Sequence, residues 1–182
     1  MLTPCRFLRG CNHYNSLTVS ELADILERFR RGAELLAVVT TGAAGTELDF
    51  KPSEDKWSVR QIVCHLADSE AVTVMRLRLI AAEDNPTLGA YDQEAWAKNL
   101  DYGRRKISQA LETFRRLRTE NYELVKDLPE AAFARTGTHV ERGKTTLLEQ
   151  VRHNAEHVES HVKQIQGVRA AYREHRAKQA AG

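Results

Sequence analysis

The chain reads as an all-α protein, a four-helix bundle with long connections between helices two and three and between helices three and four. Three observations predict this. Hydroxyl residues followed three positions later by Glu or Gln, the pattern of a helix-opening capping box, stand at Thr18, Ser58 and Thr146. Long runs after these points carry apolar residues at three- and four-residue spacing, the periodicity of a helix with one buried face. Proline and glycine punctuate the ends of the runs, at Gly42, Gly45, Pro86 and Pro129. At 182 residues the chain is long enough for one well-filled core and short for two.

Residues 1–17, with Pro4, Gly10, Asn12 and Asn15, read as an irregular arm, and residues 18–182 as one domain. Thr18-Val19-Ser20-Glu21 opens the first helix, in which Leu22, Ile25, Leu26, Phe29, Ala33, Leu36 and Val39 form the inward stripe. Gly42 and Gly45 end it. Ser58-Val59-Arg60-Gln61 opens the second helix, whose stripe of Val59, Ile62, Val63, Leu66, Thr73, Val74, Leu77 and Ile80 runs toward Asp84. Asn85-Pro86 stops it, because the residue before a proline is pushed out of helical geometry.

From Thr87 to Tyr102 runs a long connection with room for a short helix around Trp96; such a link allows an order other than simple up-and-down. The third helix spans Gly103 to Lys126, with Ile107, Leu111, Phe114, Leu117, Tyr122 and Val125 inward, and Leu128-Pro129 closes it. Between Phe133 and Lys144, with Gly137 and Gly143, a hairpin and a plain loop both fit. Thr145 or Thr146 caps the last helix, with Glu149 completing a capping box if the cap is Thr146.

Composition narrows the function classes. Hydrophobic residues make up 42% of the chain, which suits a globular protein. The formal net charge of +2, with Lys and Arg interspersed among Asp and Glu, gives no support for nucleic acid as a partner beyond the local run Arg115-Arg116-Leu117-Arg118. Three cysteines, Cys5, Cys11 and Cys64, argue against a disulfide framework and for a cytoplasmic location. No apolar run approaches the roughly 18 residues of a membrane span. Cys5, Cys11 and His13 lack the second cysteine pair of a zinc module.

The residues that carry chemistry are histidines. His65 lies inside the second helix, and His153, His157 and His161 follow one another at spacing four in the last. Residues four apart share a helix face, so a pair can present two imidazoles to one ion. A third from a neighbouring helix leaves open the coordination positions that catalytic metal sites keep. On a wheel of about 100° per residue, His161 lies about 80° from the stripe centre of the last helix, His157 about 120° and His153 about 160°. This ranks His157 with His161 ahead of His153 with His157. His65 falls about 105° from the centre of its own stripe, which places all three chosen residues at a groove between helices.

Asp68 and Glu70 are the candidate catalytic carboxylates. Asp68, three residues after His65, is placed to accept a hydrogen bond from an imidazole N–H or a bound water. Glu70 projects toward the apolar stripe, where an ionised carboxylate needs a partner; orienting group, base and ion-pair partner of an arginine are the alternatives. Three imidazoles leave an ion its full charge, which acidifies a water or holds a thiol as thiolate. Cys64 points about 100° away from His65 and reads as structural, and Trp57 as a packing anchor at the helix entry.

Lys56-Trp57-Ser58-Val59-Arg60, then His65-Leu66-Ala67-Asp68-Ser69-Glu70, and later His157, His161, Gln164 and Ile165, resemble the signature of the DinB-like superfamily over about Thr18 to Arg169. The resemblance implies a four-helix bundle, a divalent cation, nickel or zinc, bound by His65, His157 and His161, and a homodimer. His153 and the N-terminal arm depart from the pattern. For the reaction, the resemblance extends to thiol-dependent transferases and isomerases and to hydrolase-like proteins, and thiol-dependent S-transfer, with a low-molecular-weight thiol and a small-molecule substrate, is the first expectation. A hydrolase using metal-bound water and a non-enzymatic metal-binding stress or interaction protein are the alternatives. Substrate contacts are expected from the loops around Thr87–Tyr102 and Phe133–Lys144.

Overall fold

Four long helices carry the architecture: α1 (Val19–Thr40), α2 (Val59–Ala82), α4 (Ile107–Lys126) and α5 (Leu147–Ala181), with a short α3 (Gln93–Asn99) in the connection where Trp96 predicts one. They are seen in a computed structural model that describes residues 19–181. The expected arm, the Thr18 hydroxyl, Cys5, Cys11 and His13 lie outside the described residues. The sequence signals act as their chemistry requires. The Ser58 hydroxyl accepts from the Gln61 amide while the Gln61 side chain accepts from the Ser58 amide, a complete capping box. Thr146 and Glu149 make the same reciprocal pair at the start of α5, which settles the cap on Thr146.

One boundary differs from the sequence reading, and one open alternative is decided. α4 begins at Ile107 rather than near Gly103, because Asp101 takes a left-handed turn (φ 50°) and Tyr102 tucks fully into the core ahead of the helix. The segment that fits hairpin and loop alike is a hairpin, β2 (Thr136–His139) with β3 (Gly143–Thr146), antiparallel, and β1 (Thr87–Leu88) adds to β2 in parallel. A small sheet therefore joins the two long connections. Gly137 packs closely there, since a Cβ would come within 3.1 Å of Ile80 and 3.2 Å of the Pro86 carbonyl oxygen, tighter than an ordinary van der Waals contact.

The apolar core is two clusters. One gathers Leu36 and Val39 of α1, Val59 to Ala67 of α2, Ala110 and Phe114 of α4, and Val158 to Val168 of α5. The other gathers Ile25 and Phe29, Leu77 and Ile80, Val125, and Leu147 to Ala155. Chain order through the clusters gives direction: α1 and α5 run one way, and α2 and α4 run the other. The connection from Glu83 to Lys106 thus joins two parallel helices, the departure from up-and-down order that its length predicts. α1 packs on α5, α2 on α4, and the α1–α4 and α2–α5 contacts close the bundle.

Between the two clusters lies a polar layer. Glu70 and Arg118, 2% and 1% exposed, form a forked ion pair at 3.0 and 2.6 Å, and Asn121 donates to the same carboxylate at 2.7 Å. The guanidinium also donates to the Phe29 carbonyl oxygen at 2.9 Å and stands 4.1 Å from the Phe29 ring centre. Gly32 of α1 makes the room, since a Cβ there would meet Arg118 Nη1 at 2.6 Å. Every oxygen of Glu70 is thereby engaged, as a charge out of water requires.

Candidate metal centre

One turn from this layer, α2 and α5 bring three imidazoles together. The ligand atoms of His65, His157 and His161 all lie within 4.8 Å of one another, a grouping able to hold a metal ion. His157 Nε2 stands 3.2 Å from His65 Nε2 and 3.0 Å from His161 Nε2. Donors about 2.0–2.1 Å from one ion are separated by about 3.0 Å at octahedral and about 3.4 Å at tetrahedral angles, a range that the two separations from His157 fall within.

Protonation follows from burial. The His65 ring, 1% exposed, has its pKa pushed down to about 4 by burial and by the neighbouring His161, against a smaller opposing pull from Asp68. Burial, then the adjacent imidazoles, drive His157 lower still, and burial also lowers His161. All three rings are neutral at neutral pH. His161 Nδ1 lies 2.7 Å from the side-chain amide oxygen (Oε1) of Gln164, to which it donates, so its Nε2 carries a lone pair. His65 Nδ1 is buried without a hydrogen-bond partner. Three neutral imidazoles whose ring nitrogens stand this close form a group that could hold a cation.

His65 does not sit at the rim of a groove, as its wheel position suggests, but is buried, with the Trp57 ring packed edge-on at 5.0 Å. Its helix is covered on that side by α5 and by the Trp57 loop, which a single-helix wheel does not include. His153 remains outside the trio; its ring lies 6.1 Å from that of His157, and its Nε2 is 2.9 Å from Arg142 Nη1.

The two carboxylates are engaged elsewhere. Asp68 pairs with Arg105 at 2.7 Å and makes no hydrogen bond to the His65 ring, on which it acts only through its charge. Glu70 belongs to the Arg118 layer. Arg118, buried on α4 in place of the expected Leu117, is the arginine partner of Glu70 that the sequence does not single out from the run Arg115-Arg116-Leu117-Arg118. Its signal was present: Ala110, Phe114, Arg118, Asn121 and Val125 follow helical spacing on one face. Cys64 is buried, contacts the Tyr102 carbonyl oxygen at 3.8 Å, and has its thiol pKa raised by burial to about 11.

Beside the trio opens a cleft of about 370 Å³, lined on one side by His65, His157 and His153 and on the other by Arg76, His139 and Arg142. Tyr91 and Gln93 from the first long connection and Glu141 from the second complete its walls.

Comparison with known proteins places this arrangement in context. The model of the DinB superfamily matches residues 15–165. A protein of Oceanobacillus iheyensis named "Putative metal-dependent hydrolase" is 32% identical over 119 residues, 65% of this chain and 69% of that one. A Halalkalibacterium halodurans protein of the same name is 29% identical over 131 residues, 72% and 76% of the two chains. The solved structure of YfiT from Bacillus subtilis, described as "a probable metal-dependent hydrolase with an unusual four-helix bundle topology", matches with a TM-score of 0.72 at 24% identity, covering 82% of this chain and 88% of that chain. It shares the fold.

Proposed function

The chain belongs to the DinB superfamily, and from that we propose that it is a metal-dependent enzyme in which His65, His157 and His161 hold one divalent cation, nickel or zinc. The observation that carries this is the convergence of three neutral imidazole nitrogens at 3.0 and 3.2 Å with Gln164 fixing the His161 tautomer. A cation there would act as a Lewis acid, holding a thiol as thiolate or acidifying a water near neutral pH. The protein's own contribution is to present three lone pairs on two rigid helices, to exclude water behind His65 with Trp57, and to leave the cleft side open for substrate.

Thiol-dependent S-transfer to a small electrophile is the first reading. A thiol needs no protein base once its proton is lost, and both nearby carboxylates, Asp68 and Glu70, are committed to arginines. Hydrolysis is the second, favoured by the names of the relatives; in it Asp68 is the carboxylate with more exposure to serve as base. A homodimer, in the cytoplasm, belongs to the same proposal. No helix among the described residues is long and apolar enough to cross a membrane.

The test is a panel of low-molecular-weight thiols with electrophiles, run beside ester and amide substrates with metal-loaded and chelator-treated protein. Metal-dependent thiol consumption supports transfer, and metal-dependent cleavage without thiol supports hydrolysis. Silence across both arms favours a binding protein without turnover.

A further inference from the structure

We propose that Arg76, His139 and Arg142 form an anion subsite in the cleft beside the three histidines, so that the substrate or co-substrate of this centre carries a carboxylate or phosphoryl group. This deepens the enzymatic reading above and rests on it for the word substrate. Arg76 on α2 and Arg142 in the β2–β3 turn line the same cleft, and neither is ion-paired among the described residues. Elsewhere the guanidiniums inside the fold find carboxylates, as Arg118 finds Glu70, Arg105 finds Asp68 and Arg169 finds Glu47. Glu141 is the single carboxylate in the cleft wall and is solvent-exposed.

The hydrogen bonds at this place are incomplete in one direction. Arg76 donates to the Gly89 carbonyl oxygen, but its Nε is buried with no partner. His139, 4% exposed, has its Nδ1 facing the backbone N–H groups of Glu141 and Arg142 at 3.2 and 3.4 Å, so Nδ1 accepts and Nε2 carries the proton. That Nε2 stands 3.0 Å from Arg76 Nη2, and a guanidinium has donors only. Two donors thus face each other across the cleft wall. Had the proton been on Nδ1 instead, it would have faced the two amide protons. Either way a donor lacks an acceptor, and an oxyanion is the ligand that supplies one to both groups. Burial and the nearby Arg142 cation lower the Arg76 pKa, the mark of a charge short of compensation. The cleft, about 370 Å³, takes a small molecule whose anionic end rests on these groups while its other end reaches His65 and His157.

Inorganic phosphate and acetate, titrated separately into the metal-free full chain and followed by NMR shifts, test the subsite apart from the metal. Saturable binding of either anion is expected, weakened about tenfold or more in Arg76→Gln, since a charge-assisted hydrogen bond contributes about 1.5–3 kcal/mol. Arg142→Gln, on an exposed side chain, gives the same readout without touching packing, and a loss in either folded variant supports the subsite. Phosphate binding alone identifies a phosphoryl ligand, and acetate binding alone a carboxylate. No saturable binding by the wild-type chain, or equal binding by both variants, overturns the proposal. Zinc uptake measured on the same samples separates the two readings: anion binding without zinc uptake sinks the metal centre and leaves the subsite, and zinc uptake without anion binding does the reverse.

Discussion

On α2, His65 and Glu70 lie little more than one turn apart, both 2% exposed or less, and the protein treats them in opposite ways. Around Glu70 every acceptor has a donor: Arg118 and Asn121 close the carboxylate, and Gly32 gives the guanidinium its space. Around His65 the groups are left open, with Nδ1 unpartnered and Nε2 turned toward two other imidazole nitrogens. A closed polar layer holds four helices in register. An open one leaves three ring nitrogens facing one another. The difference teaches that two equally buried polar residues on one helix can meet opposite surroundings, one carboxylate fully paired and one imidazole facing others of its kind.

The largest way to break this comparison is on the closed side. Glu70→Ala leaves Arg118 buried and unpaired, and is expected to cost about 3–5 kcal/mol in urea unfolding. Replacing the pair together, Glu70→Leu with Arg118→Met, is expected to return most of that stability, since a well-packed apolar pair can equal a buried ion pair. A cost near zero for Glu70→Ala would mean that the layer is not closed as described.

Acid probes the open side. A ring whose folded pKa lies below its unfolded value of 6.5 binds fewer protons in the native state, so stability falls as pH drops. For His65 the loss begins near 6.5 and ends near 4, and His157 extends it to lower pH. Thermal melts of metal-free protein across that range should show this slope, and His65→Gln should flatten it. An unchanged slope in His65→Gln would show that the His65 ring titrates alike in the folded and unfolded chain.

Two smaller effects sharpen the boundary of the site. Gln164→Ala frees the His161 tautomer and is expected to weaken metal affinity by about tenfold, the lower end for a residue that orients a ligand. Competition with a chromogenic chelator reads it. His153→Ala should leave metal stoichiometry unchanged, because its ring stays outside the trio. A clear drop would move the pair from His157 with His161 to His153 with His157.

Much of this was legible in the sequence, and the parts that were not share a cause. The capping boxes at Ser58 and Thr146 and the ranking of the three α5 histidines depend on residues near one another along the chain, and each reads directly from spacing, whereas α2 ends at Ala82, short of the expected stop at Asn85-Pro86. The burial of His65, the Glu70–Arg118 pairing and the β1–β2 contact depend on which helices become neighbours. A single helical wheel places a residue against its own stripe and cannot count a second helix above it. Arg118 shows the point: its position among Ala110, Phe114 and Val125 faced the core, yet its charge argued for the surface, and only Glu70 on another helix resolves the conflict.

Anomalous diffraction at the absorption edge of zinc or nickel, on crystals of the metal-loaded chain, shows whether the three histidines hold the ion. The account predicts one peak bonded to Nε2 of His65, His157 and His161 at about 2.0–2.1 Å, with its remaining positions facing the Arg76 cleft. A fully loaded protein with no peak among these nitrogens, or with the ion held through His153, would contradict it.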